Sequence, residues 1–235
     1  MESIIFVKER ATKTIAAAQQ LAAQWTWQEK TIPQMKAALT AITGDNTVTP
    51  PVIGQEKTAS AAEKAMTDAR ALWDKSLDQL HRLTMQGVSM AKSRYRNDPV
   101  KLALVENLTA RGDSRPVILD EALEWETAWN EVEPTWNPLP ANTLTAFGAL
   151  RAQCLKALQD DYKNKNSAWR EQAGILNQLV ANLEDMNVAW YSDATDVFAE
   201  GTAEGDMIRG TIPTTCSPPP PKPAANPTPP APKPA

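Results

Sequence analysis

"MTDARALWDKSLDQLHRLTMQGVSMAKSRY", Met66 to Tyr95, decides the fold. Met66, Ala69, Trp73, Leu77, Leu80, Leu83, Gly87, Ala91 and the pair Arg94-Tyr95 step by threes and fours. That spacing places them on one face of a helix, with charged side chains on the others. The pattern reaches back to Gln55 and stops at "RNDP", Arg96 to Pro99. A helix of this length has one apolar stripe to bury and needs other helices along it.

Those partners are legible on both sides. Upstream, the stretch from Ser3 to Lys30 is rich in Ala, Gln, Glu and Lys, and Ile15, Ala18, Ala22 and Trp25 follow helical spacing. Pro33 restarts the helix into "QMKAALTAIT", and "GDNTVTPPVIG", Gly44 to Gly54, reads as a loop. Downstream, Asp98 is a cap and Pro99 a first-turn residue for a short helix over "VKLALVENLTAR". Val117 to Glu133 is a third amphipathic helix, on which Ile118, Ala122, Trp125, Trp129 and Val132 form the stripe. Pro134, Pro138 and Pro140 break the chain, and Asn142 is the expected cap of the next helix.

The last pattern runs from Leu144 through Phe147, Leu150, Cys154, Leu158 and Tyr162, and then from Trp169 to Phe198. "DDYKNKNS", Asp160 to Ser167, is either a solvated stretch of one helix or a break capped by Asn166 or Ser167. Unbroken, the helix would span roughly 80 Å. The expected architecture is therefore all-α, an elongated antiparallel bundle of about four main helices. Its expected divisions are a first hairpin at 1–98, a short helix and junction at 99–116, a second hairpin at 117–212 and a tail at 213–235. A shift of 96 residues sets Trp73, Leu80, Leu83, Met90 and Tyr95 on Trp169, Leu176, Leu179, Met186 and Tyr191, which favours a duplicated helical hairpin.

Composition agrees with long helices. Of nineteen prolines, eleven lie at or beyond Pro213. From Ser217 the tail "SPPPPKPAANPTPPAPKPA" has no large apolar side chain, so polyproline II or disorder is expected there. Its Pro-x-x-Pro spacings, Pro218 to Pro221 and Pro229 to Pro232, suit aromatic grooves. Lys222 and Lys233 lack the flanking register of a strong ligand of that kind, so a spacer or tether is favoured.

Charge and motifs exclude several chemistries. With 24 basic and 28 acidic residues there is no basic stripe for nucleic acid. Ile4 to Val7 is too short for a leader core and nothing approaches a membrane span, so a cytoplasmic location is expected, with leaderless export left open. Cys154 and Cys216 read as a buried inert thiol and an exposed one. His81 is the single histidine; it follows Asp78 instead of a glutamate, and Asn177 takes its place in the repeat. A solvated helix face suits it better than a metal site. The acids from Asp120 to Glu133 read as a charged outer face, and no phosphate-binding glycine motif occurs. "RGDS", Arg111 to Ser114, reads as one helix stopping and another starting, not as an adhesion ligand.

Among the eight tryptophans, Trp73, Trp125, Trp129, Trp169 and Trp190 fit core stripes. Trp27 and Trp136, near helix ends, are the expected exposed partner contacts, together with Pro218, Pro221, Pro229 and Pro232. The expected function is a non-catalytic helical scaffold or interaction module, without cofactor, that binds a protein partner or itself. An amphipathic membrane-acting protein and a metal-binding bundle are the alternatives, the first disfavoured because the polar faces are not basic.

Overall fold

Gln55 to Arg94 is one helix in the structure, a computed structural model that describes residues 3–28, 31–112, 114–138 and 143–213. In chain order the elements are α1 (Ile4–Leu21), α2 (Ile32–Thr43), β1 (Gly44–Asp45), β2 (Val52–Ile53), α3 (Gln55–Arg94), α4 (Pro99–Val105), α5 (Arg115–Val132), α6 (Leu144–Lys156), a π-helical segment (Ala157–Tyr162), α7 (Lys163–Val197) and α8 (Ala203–Arg209). The described residues are thus all-α apart from one two-residue ladder, and their long helices pack together. None of these helices is long and apolar enough to cross a membrane. The proline-rich tail, with Pro218, Pro221, Pro229 and Pro232, lies outside the described residues.

The chain forms two compact units, residues 38–181 (the central unit) and residues 1–37 with 182–235 (the terminal unit). The division falls inside α2 and α7, which differs from the hairpin boundaries at 98 and 117 drawn on the sequence.

In the central unit, α3 packs on α5, α6 and the π segment, and α4 packs on α3 and α5. The stripe on α3 is buried at Trp73, Leu77, Leu80, Gly87 and Ala91. Gly87 has a specific reason: a Cβ there would lie 2.7 Å from the Trp125 ring, so only glycine lets α5 approach. Trp125 stacks on Trp129 at 5.3 Å, Trp129 meets Phe147 at 6.0 Å, and Trp73 stacks on Tyr162 at 5.5 Å. The Arg115 guanidinium lies over the Trp73 ring at 4.5 Å and forks onto Asp74 at 2.8 and 2.9 Å. The repeat partners differ in burial. Trp73 and Tyr95 are buried, whereas Trp169 and Tyr191 are half-buried.

Several local expectations are corrected. The loop from Gly44 to Gly54 is closed by an antiparallel ladder that pairs Gly44 with Ile53 and Asp45 with Val52. A Cβ on Gly54 would fall 2.3 Å from Gly44 N, so this closure needs glycine. Residues 160–167 do not break: the polar stretch passes through a π turn in which Lys163 N–H donates to Leu158 O. The wider turn keeps both Leu158 and Tyr162 against the core while Asp160 and Asp161 stay in water. Asp98 does cap α4, accepting from Lys101 N–H at 3.1 Å. Thr143 caps α6, accepting from Ala146 N–H at 3.1 Å; Asn142 lies outside the described residues.

The "RGDS" stretch is only half a helix junction. α4 already ends at Val105, so Arg111 and Gly112 sit in the connector beyond it. Ser114 is the N-cap residue of α5 and Pro116 lies in its first turn, whereas Asp113 lies outside the described residues. The connector is held by α5: the Arg111 N–H donates to Glu121 Oε1, and the Arg111 guanidinium pairs with Glu124 at 3.0 Å.

In the terminal unit, α1 packs on α8 and on the last turns of α7. Arg10 pairs with Glu184 at 2.6 Å and lies over the Tyr191 ring. Asn187, fully buried, donates to the Val7 carbonyl at 3.3 Å. These contacts satisfy part of the polar groups on that face, while Arg10 Nε, Thr14 Oγ1 and Asn187 Oδ1 stay buried without a hydrogen-bond partner among the described residues.

Candidate interaction site

α1 does not run to Lys30. It ends at Leu21, whose carbonyl accepts from both Gln24 N–H and Trp25 N–H at 2.9 Å. The chain then leaves the helix through "WTW", Trp25 to Trp27. Residues two apart lie on opposite sides of a helix but on one side of an extended chain. Outside the helix, both indoles reach α7. Trp25 meets Trp190 at 6.2 Å and Phe198 edge-on at 6.2 Å. Trp27 donates from Nε1 to Asp193 Oδ2 at 2.6 Å.

Trp27, expected as an exposed contact, is therefore only 5% exposed. Its ring finds apolar neighbours and its N–H finds a carboxylate, which removes the cost of burying a donor. Trp136 is half-buried. It meets Tyr95 edge-on at 5.7 Å, lies under the Arg94 guanidinium at 5.3 Å, and its carbonyl accepts from Trp129 Nε1 at 2.8 Å. It closes the end of α3 and α5 and keeps one side open. The two tryptophans are thus not brought together; each belongs to its own unit.

What the terminal unit does present is a cleft of about 170 Å³ at the end of α1. Ala18, Ala22, Trp25, Trp27, Pro33 and Trp190 line it, and its wall is mainly apolar. Trp25 is half-buried and supplies the accessible aromatic surface. The Trp190 Nε1, buried in the wall, has no hydrogen-bond partner among the described residues. Trp25 and Trp190 were legible only as helix-stripe positions; the signal for the cleft was the Trp-Thr-Trp spacing, which fits extended chain.

The titratable groups of the central unit are engaged with one another. His81, expected on a solvated face, is partly buried, with Nδ1 3.5 Å from Glu121 Oε2. Glu121 is itself 4% exposed, so the acids of α5 are not all an outer face. Glu126 pairs with Arg151. Glu133 accepts from Tyr95 Oη at 2.8 Å and from Arg94 at 3.1 Å. The Tyr95 hydroxyl, aided by Arg94, holds the Glu133 carboxyl below its usual value. Burial first, and then Glu133, pushes the Tyr95 hydroxyl up. Burial alone raises the Cys154 thiol, which disfavours the reactive thiolate. Among the described residues no group of three or more His, Cys, Asp or Glu is placed to hold a metal ion.

No family model, no curated protein and no solved structure matches the chain.

Proposed function

We propose that the chain is a non-catalytic helical scaffold that binds a protein segment, with its proline-rich tail as a tether. The observation that carries this reading is the tryptophan-lined cleft at the end of α1. Mainly apolar concave surface with a half-exposed indole is the composition of a contact site, since aromatic rings contribute large area with few rotamers to fix. Val100 and Leu104, 76% and 42% exposed and one turn apart on α4, add a smaller apolar face in the central unit. The charged groups nearby support the reading from the other side, because they are engaged in ties between helices. The duplicated-hairpin origin belongs to the same proposal and is supported by the repeated Trp, Leu, Met and Tyr at the shift of 96.

A photo-crosslinking residue in place of Trp25 tests this in source cells. The expected result is a covalent product with a second polypeptide in fixed proportion. A chain that forms no such product, even with Pro218, Pro221, Pro229 and Pro232 all changed to Ser, overturns the reading.

A further inference from the structure

We infer that the cleft at the end of α1 is a proline-recognition groove and that its resident occupant is the chain's own tail, between Pro218 and Pro232. This rests on the reading of the cleft as an interaction site and names what fills it.

The first argument is chemical. A polyproline II segment has no internal hydrogen bonds, presents proline rings on its faces and leaves its carbonyls free. Grooves that take such segments are lined by aromatic rings that stack on the prolines. The cleft offers the Trp25 ring, Pro33 and an apolar floor. Trp190, fully buried, backs the floor of the cleft, so the surface offered to a ligand is ring and aliphatic carbon. Proline also has less conformational freedom to lose, so the segment orders at low cost without a Leu, Ile or Val to bury.

The second argument is reach. Gln24, the residue before the cleft-lining Trp25, donates to Glu204 in the first turn of α8 at 3.2 Å. From there α8 adds about 10 Å and the next four residues at most about 14 Å. Ile208, Thr211 and Pro213 are buried in the terminal unit, so the departure point is fixed there. Residues 214–235 follow, enough for roughly 60–70 Å of polyproline II. The tail therefore starts within about 25 Å of the cleft, a span its length covers with chain to spare.

The third argument is competition. A tethered segment acts at an effective concentration of about millimolar, which a separate partner rarely reaches. Lys222 and Lys233 are the tail's only charged side chains; of the acids between Asp193 and Asp206, Glu200 and Asp206 pair with Arg209, Asp193 accepts from Trp27 and Glu204 from Gln24, so charge contributes little to the choice of occupant. A partner that brings a proline-rich segment must displace the tail.

The test compares the full chain with a full-length variant that carries Pro218→Ser, Pro221→Ser, Pro229→Ser and Pro232→Ser. Indole N–H resonances are recorded by two-dimensional NMR, and Trp25→Phe assigns the Trp25 signal. The expected result is a shift of the Trp25 resonance between the two chains, unchanged on tenfold dilution, with the Trp125 and Trp129 resonances fixed. A Trp25 resonance identical in both chains overturns the inference. So does a shift that vanishes on dilution together with a dimer in sedimentation, since the occupant is then a second copy. Failure here leaves the crosslinking result untouched, and a crosslinking failure leaves these resonances untouched.

Discussion

Trp125 and Trp129 sit four residues apart on α5 and stack inside the central unit, whereas Trp25 and Trp27 sit two apart outside any helix and border a cleft. The same residue type does different work because its spacing differs. At i and i+4 two rings share a helix face and are covered together by the next helix. At i and i+2 they share a face only when the chain is extended, and extended chain at a helix end leaves one side open. Tryptophan content alone therefore says nothing about whether indoles close a core or line a contact site; the interval between them does.

The comparison breaks most visibly at Trp129. Replaced by alanine, it loses contacts with Trp125 and Phe147 and should cost about 3–5 kcal/mol in chemical denaturation. Trp25→Ala should cost less than half as much, because that ring is half-buried. Equal losses would mean that the two clusters are the same kind of core. Trp27→Phe sharpens the case. It keeps the ring and removes the bond to Asp193, at a cost of about 1.5–3 kcal/mol for a donor to a charged acceptor. An unchanged midpoint would show that Asp193 is not that acceptor.

Gly87→Ala should be milder. Alanine gains about 1 kcal/mol of helix propensity, while the clash with Trp125 costs about 1–3 kcal/mol, so a net loss of about 1 kcal/mol is expected. A stabilised variant would mean that α3 and α5 can separate freely. The smallest effect lies at the C-terminus of α5, where Glu133 meets the end of α3. The carboxyl of Glu133 is held below its unfolded value, so its contribution is present above the ordinary glutamate range near about 4.3 and is lost as pH falls through the lower, folded value. Glu133→Gln should lower stability slightly at neutral pH and leave strongly acidic pH unchanged, so that the acid limb of the profile flattens. An unaltered acid limb would show that other carboxylates carry it.

Most helices were legible because their stripes are long and their ends carry strong signals. Asp98-Pro99 marked α4, and "RNDP" stopped α3 close to Arg94. Burial sets the limit of such reading. Helical spacing put Trp169 on the same footing as Trp73, yet Trp73 is buried with Tyr162 stacked on it and Arg115 over its ring, whereas Trp169 is half-buried. Glu121 looked like one more surface acid because its neighbours are acidic; its burial comes from the Arg111 N–H and His81, which lie far away in sequence. The cleft was less legible still. Trp25 continued the α1 stripe on paper, and only the pull of Trp27 toward Asp193 removes both residues from the helix.

The π segment from Ala157 to Tyr162 also says what this helix can survive. An α-helix turns about 100° per residue, so one residue lost from a purely α-helical run would swing every later side chain to another face. A π turn holds an extra residue already. Removing Gln159 would let the turn relax to α pitch, and five residues at about 100° sweep nearly the same angle as six in the wider turn, so the later side chains keep their facing. The segment is a stored insertion: one residue can be lost there with neither a break in the helix nor a change of face from Lys163 onward.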